Sequence, residues 1–293
     1  MSVSTIPITT KIRGRLAPSP TGYLHLGHAR TFWIAHRRAR SRSGQLVFRN
    51  EDLDYQRCKP EFVQAMYEDL RWLGLDWDEG PDIGGPFAPY SQSERRSSYL
   101  KAWCSLRDSG LIYPCTCTRK DLERALQAPH DDDADELPYP GTCRHESASA
   151  VQWDSPAGVS WRFRVPDHEV ITLEDLYCGS QQFIAGKDFS DFLIWRRDDI
   201  PAYQLAVVVD DAEMQITEVV RGADLLKSTA RQLLLIRALG FSIPQYFHCP
   251  LMRDENNIRL AKRHDALSLR TLRMQGVNPE SLHERFAREI NGV

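Results

Sequence analysis

The stretch RLAPSPTGYLHLGHARTFW, from Arg15 to Trp33, sets two imidazoles, His25 and His28, at the mouth of a helical pattern. A helix N-terminus offers unpaired backbone N–H groups and the positive end of the helix dipole, so it attracts anions. Gly27, between the histidines, lets a phosphate or a flat ligand come close to the backbone. His25 and His28 can each donate a hydrogen bond to phosphate oxygens or to a phosphoryl transition state. The chemistry suited to these types is nucleotide binding with charge stabilisation at phosphorus. Far downstream, IRLAKRHDA (258–266) sets Arg259, Lys262 and Arg263 after a turn. A lysine there can neutralise charge as pyrophosphate leaves ATP. A third group is Cys115-Thr116-Cys117 with Cys143. Three thiolates and one oxygen or nitrogen donor make a tetrahedral zinc site, and Tyr139, His145 and the more distant His130 are all open as the fourth. Each group also has an ordinary reading: capping histidines, an exposed basic loop, and cysteines on opposite sides of a strand.

The elements that must position these residues follow from pattern. Residues 12–17 read as a strand, 18–22 as a proline- and glycine-bearing loop, and 27–42 as a helix with Phe32, Trp33 and Ala39 on its apolar face. QLVFR (45–49) reads as a buried strand. Residues 60–73 read as an amphipathic helix opened by Pro60, with Phe62, Val63, Met66, Leu70 and Leu73 on one side. Strand, helix, strand, helix predicts a right-handed parallel unit. A further helix is expected from about Ser93 to Asp108. Residues 125–150 form an acidic, proline-containing loop. SWRFRVPD, FLIWRRDDIPAYQLAVVVDD and QITEVV read mostly as strands, with a turn at RDDIP. GADLLKSTARQLLLIRALG (222–240) reads as a helix stopped by Gly240, YFHCPLM as a strand, and the last 30 residues as two short helices.

The 293 residues are enough for one large or two modest domains. Hydrophobic content of 42% and charged content of 26% are those of a soluble globular chain. No apolar run approaches the roughly 18 residues of a membrane span, and the N-terminus lacks a secretory pattern, so a cytoplasmic location is expected. Seven unevenly spaced cysteines speak for thiols and a metal site over a disulfide framework. A net charge of −3 does not advertise a nucleic-acid binder, although HRRARSR (36–42) is a local basic run. A solvated helix face is its simplest meaning.

The paired HLGH and RLAKR stretches resemble the two signatures of class I aminoacyl-tRNA synthetases. RLAPSPTGYLHLGHART, EDLD, LGLDWDEGP, YSQSER, AYQLAVVVDD and VVRGADLL are similar, in order and over nearly the whole chain, to the catalytic domain of glutamyl-tRNA synthetases. Only 30 residues follow Arg263, so the resemblance is to the truncated branch of that family that glutamylates the queuosine at the wobble position of tRNA(Asp), without an anticodon-binding domain. The lysine loop departs from the family pattern: Arg259 stands for its first lysine and Ala261 for a serine.

The resemblance implies an α/β fold with a Rossmann-type parallel sheet and an inserted α+β subdomain carrying zinc. It implies first and second halves of the nucleotide-binding domain at 1–110 and 201–263, the insertion at 111–200 and a helical stem at 264–293. It implies ATP-dependent glutamate activation with Mg2+, through His25, His28 and Lys262, with His25, Gly27, His28 and Lys262 binding ATP. The fork of Arg15 suits a bidentate carboxylate contact. By resemblance Arg15, Leu16, Ala17, Pro18 and Ser19 line the glutamate pocket. Arg221 is its second cation, Glu51 receives the ammonium, and Tyr203 hydrogen-bonds the amino acid. By resemblance also, the zinc ligands are Cys115, Cys117, Cys143 and Tyr139, with a structural role. The partners implied are ATP, L-glutamate and queuosine-bearing tRNA(Asp), for a monomer away from membranes. Three other readings compete: a truncated synthetase charging tRNA 3′ ends, a small-molecule nucleotidylyltransferase, and a non-catalytic amino-acid sensor.

Overall fold

The computed structural model describes residues 11–118, 120–121, 139–144, 153–252 and 268–290. The chain forms two compact units. The first, residues 1–94, 213–224 and 244–293, holds β1 (Arg13–Leu16), α1 (Leu26–Arg40), β2 (Gln45–Phe48), α2 (Pro60–Trp72), β8 (Glu218–Gly222), β9 (Gln245–Cys249), α6 (Leu269–Met274) and α7 (Pro279–Glu289). The second, residues 95–212 and 225–243, holds α3 (Arg96–Asp108), β3 (Ile112–Cys115), β4 (Ser160–Phe163), β5 (Val170–Asp175), β6 (Gly179–Ile184), β7 (Phe192–Trp195), α4 (Tyr203–Glu213, whose last residue passes into the first unit) and α5 (Leu226–Leu239).

In the first unit β1 and β2 run parallel, Arg13 opposite Gln45 and Leu16 opposite Phe48, as a strand–helix–strand crossover requires. The turn from α1 into β2 depends on Gly44: a Cβ there would lie 2.6 Å from the Ile12 carbonyl oxygen. β8 and β9 form a second parallel pair. The Thr217 N–H, just before β8, donates to the Arg13 oxygen at 2.9 Å, which sets β1 beside β8. The described strands thus form two parallel pairs in separate sheets, not one continuous parallel sheet. Leu16, Ile34, Leu46, Phe48, Leu70 and Phe286 are among the fully buried residues of the core between these strands and helices. A buried bidentate pair of Arg13 with Glu79, at 2.6 and 2.7 Å, is completed by the Tyr90 hydroxyl at 2.6 Å.

In the second unit β3, β4 and β7 form an antiparallel sheet, with β5 and β6 as a hairpin. That hairpin, from EVITLEDLYCGSQQFIAG, was not expected. Residues of AYQLAVVVDD, expected as strand, are helical in α4. Its residues Gln204 to Asp211 are all buried. A helix covered on every side shows no amphipathic period, and its apolar run then looks like a buried strand. Arg95 and Tyr99 bond the buried Asp210 of this helix at 2.6 and 3.0 Å. α5 ends as expected on Gly240, in the left-handed region at φ 69°. Among the described residues no helix is long and apolar enough to cross a membrane.

Candidate active site

His25 is the N-cap of α1, in extended backbone, and its Nδ1 accepts the Gly27 N–H at 3.2 Å. An imidazole that accepts on Nδ1 carries the proton of its neutral form on Nε2. A Cβ on Gly27 would stand 3.2 Å from the His25 ring, so the glycine serves the cap as well as any approaching ligand. His28 is exposed and stacks on His25, with centroids 3.8 Å apart and planes at 27°. The two rings therefore sit together at the positive end of the helix. Ser268 forms a β-bridge with His25, and the Leu269 N–H donates to the Leu24 oxygen at 2.7 Å. Ser268 is the first described residue after the RLAKR stretch. Arg259, Lys262 and Arg263 lie outside the described residues, as do His130 and His145.

Beyond β1 the chain stays tied to the strand beside it. The Arg49 N–H donates to the Leu16 oxygen at 2.8 Å and the Glu51 N–H to the Pro18 oxygen at 3.0 Å. Arg15, Leu16, Ala17, Pro18, Ser19 and Glu51 are thereby assembled in one place. Glu51 accepts from the buried Arg49 at 3.0 Å. Asp52 is held by the Ser93 N–H at 2.9 Å and the Ser93 hydroxyl at 2.8 Å. The buried Arg15 donates through Nη1 to the Val220 oxygen at 3.0 Å, next to Arg221. Arg221 is buried as well; its Nε donates to His248 Nε2 at 3.2 Å, and its guanidinium lies 5.4 Å from the Tyr246 ring centre. Two cations on neighbouring strands can receive a substrate with two carboxylates, and an acid beside them its ammonium. Tyr203 belongs to the second unit, where it opens α4 and is 39% exposed.

The basic run of α1 is not a free patch. Arg38 and Arg42 pair with Glu218 at 2.8 and 3.6 Å, and Arg40 pairs with Asp76 and Asp78 at 3.1 and 2.8 Å.

In the second unit the sulfurs of Cys115, Cys117 and Cys143 all lie within 4.8 Å of one another, so the cluster can hold a metal ion. Cys117 and Cys143 are 3.6 Å apart, and the Tyr139 hydroxyl stands 3.6 Å from Cys115 and 3.9 Å from Cys117. Tetrahedral ligands at about 2.0–2.3 Å from one ion stand about 3.5–3.8 Å from each other, close to these three separations. Arg162 Nε donates to Cys115 Sγ at 3.4 Å, and its guanidinium covers the Tyr139 ring at 3.9 Å. Burial pushes the Cys117 thiol up to about 11 and raises the Tyr139 phenol. At Cys143 burial is outweighed by hydrogen bonds with Tyr139, Thr116 and Cys117, which hold the thiol below its usual range.

Sequence reasoning missed Tyr246 and His248, which flank Arg221. The signal was the strand YFHCPLM itself: parallel pairing puts 246 and 248 on the face of β9 that carries Arg221 on β8.

The profile of the family "tRNA synthetases class I (E and Q), catalytic domain" matches residues 11–290. Two similar curated proteins are both called glutamyl-Q tRNA(Asp) synthetase. That of Symbiobacterium thermophilum is 47% identical over 92% of this chain and 83% of its own length. That of Nitratidesulfovibrio vulgaris is 49% identical over 91% of this chain and 82% of its own. Among solved structures, the glutamate-tRNA synthetase of Elizabethkingia anophelis superposes with a TM-score of 0.81 at 30% identity. The match takes in 95% of this chain and 61% of that one.

Proposed function

The chain belongs to the class I tRNA synthetase family of the glutamyl and glutaminyl enzymes, and on that premise we propose that it activates L-glutamate with ATP and transfers the glutamyl group to the queuosine base at the wobble position of tRNA(Asp). One observation carries the activation step: the capped His25–His28 pair shares a unit with the buried arginines Arg15 and Arg221. The names of the two curated relatives support the acceptor.

In this reading the glutamate α-carboxylate attacks the α-phosphorus of ATP in line, and pyrophosphate leaves. The protein positions the reactants and stabilises charge; it supplies no nucleophile of its own. ATP lies over Gly27, with Nε2–H of His25 and an edge of His28 donating to phosphate oxygens. Lys262 neutralises the departing pyrophosphate. In sequence Lys262 precedes Ser268, which bridges to His25, by six residues. Arg15 and Arg221 take the substrate carboxylates and Glu51 the ammonium. Leu16, Ala17, Pro18 and Ser19 line the pocket, and Tyr203 bonds the amino acid. Mg2+ arrives with the ATP phosphates. Cys115, Cys117, Cys143 and Tyr139 would hold a structural zinc, and the residues Tyr139 and Cys143 would through it be tied to β3. The proposed division keeps 1–110 and 201–263 as the nucleotide-binding halves, 111–200 as the insertion and 264–293 as the stem, in a cytoplasmic monomer.

A second reading, esterification of a tRNA 3′ end, is favoured by the likeness to the glutamate-tRNA synthetase structure. Two measurements separate them. Glutamate alone should support exchange of labelled pyrophosphate into ATP. Labelled glutamate should then appear on tRNA(Asp) that carries queuosine and not on the same tRNA lacking it. Label at the 3′ terminus would overturn the proposal in favour of the second reading.

A further inference from the structure

We propose that His248 is a positioning residue for glutamate: it fixes the plane of Arg221 before the arginine meets a substrate carboxylate. The inference rests on the glutamate reading above. β8 and β9 are parallel and in register, with Arg221 directly opposite His248. His248 is fully buried and Arg221 is 4% exposed. Arg221 Nε donates to His248 Nε2 at 3.2 Å. That contact needs an unprotonated Nε2, so His248 acts as a neutral ring with its proton on Nδ1. Tyr246 completes the setting. It lies two residues earlier on the same face of β9, stacks on His248 at 5.8 Å and 14°, and takes the Arg221 guanidinium at 5.4 Å from its ring centre.

The consequence is geometric. A guanidinium can grip a carboxylate through Nη1 and Nη2, or side-on through Nε and one Nη. With Nε given to His248, side-on gripping through Nε is closed and the plane of the guanidinium is set in the folded protein. A guanidinium also swings on a long, rotamer-rich chain, and ordering it on substrate binding costs affinity. His248 and Tyr246 take that cost in folding, before glutamate arrives. Neutrality matters too, because an ammonium or a second charged ring at 248 would oppose Arg221 inside a buried site.

The test uses the whole protein in pyrophosphate exchange, with glutamate and ATP varied separately. His248→Leu keeps an apolar filling of the buried site and removes the acceptor. It should raise KM for glutamate about tenfold, the equivalent of about 1.4 kcal/mol, while KM for ATP stays within about twofold and kcat within about threefold. His248→Gln restores an acceptor of similar reach and should return the glutamate KM to within about threefold of wild type. If the leucine variant does not fold, His248→Asn replaces it, since the shorter amide falls short of Arg221 and should behave as leucine would. The proposal is overturned if the glutamate KM is unchanged in the acceptor-less variant, if both KM values rise together, or if glutamine rescues no better than leucine. Failure of the glutamate reading itself looks different: the unsubstituted protein would then show no glutamate-dependent exchange.

Discussion

His25 has two roles in the proposed chemistry, and one substitution separates them. Its Nδ1 caps α1 through the Gly27 N–H, and in the proposed chemistry its Nε2–H meets ATP. His25→Asn keeps the cap, because asparagine is among the strongest N-cap residues and its short oxygen reaches the first-turn amides. It removes the ring that carries the donor outward. His25→Ala removes both. The cap contact is 3.2 Å, at the long end of the range, so its loss should cost about 1 kcal/mol or less. Losing one donor to charge that grows at the transition state typically costs about 100- to 1,000-fold in rate. The asparagine variant should therefore melt near wild type and exchange pyrophosphate about 100- to 1,000-fold more slowly. The alanine variant should show the same kinetic loss together with the lower stability. Thermal melts and pyrophosphate exchange on both proteins decide it. Exchange within about threefold of wild type in His25→Asn would show that the histidine only caps the helix, and the active-site assignment would fail with it.

Arg221→Ala should cost about 2–5 kcal/mol in kcat/KM for glutamate, since a substrate carboxylate would lose its charged partner in a buried site; an unchanged kcat/KM would remove Arg221 from the pocket. Cys117→Ser should lower the metal content of the purified protein below one zinc per chain and loosen β3 together with Tyr139 and Cys143, with a smaller effect on exchange; a wild-type preparation that is well folded and free of zinc would refute the site. Burial pushes the Asp69 carboxyl up from 3.8 to about 6, against the opposing pull of Arg273 and Arg270. A carboxyl raised by folding favours its neutral form, so its contribution is complete below about pH 4 and is lost as the pH rises through about 6. The full shift, which already includes the pull of the two arginines, corresponds to about 3 kcal/mol, and a buried amide at this position recovers only part of it. Asp69→Asn should therefore raise stability by about 1–2 kcal/mol at pH 8 and change little at pH 4; equal effects at both pH values would contradict this account.

What could be read from the sequence was local. The mouth of α1, the proline at the start of α2 and the Gly240 stop are each signalled within a few residues, and each stands close to its expected place. α4 was misread because its environment, not its own pattern, decides it: a Val207–Val209 run favours a strand locally, and burial on every side holds it as a helix. The partners of charges were equally out of reach. Glu218 neutralises Arg38 from 180 residues away, so a run that looks basic in sequence is paired in the fold. His248 showed only as one residue of a strand, because its meaning depends on the register of β9 against β8. The cysteines showed by spacing, whereas Tyr139 was reached by family resemblance, and its hydroxyl stands beside two of their sulfurs.

The positions singled out in the first unit share one feature of its topology. β1 ends at Leu16, and Arg15 lies beside that end with Ala17, Pro18 and Ser19 just past it. β2 ends at Phe48, with Glu51 three residues on. β8 ends at Gly222, one residue after Arg221, and β9 ends at Cys249, one residue after His248. All four sets therefore lie at the carboxyl ends of parallel strands, and the helix that follows β1 starts there with His25. In open parallel α/β sheets this edge is where ligands bind, because side chains from successive strands converge on it and helix N-termini face it. The same geometry explains why the residue types differ along the edge. Arginines on β1 and β8 sit where backbone carbonyls can orient them, as Val220 orients Arg15. The imidazoles sit where a helix dipole favours phosphate. A substrate with carboxylates at one end and a reaction at phosphorus at the other matches an edge with arginines along its strands and histidines at its helix.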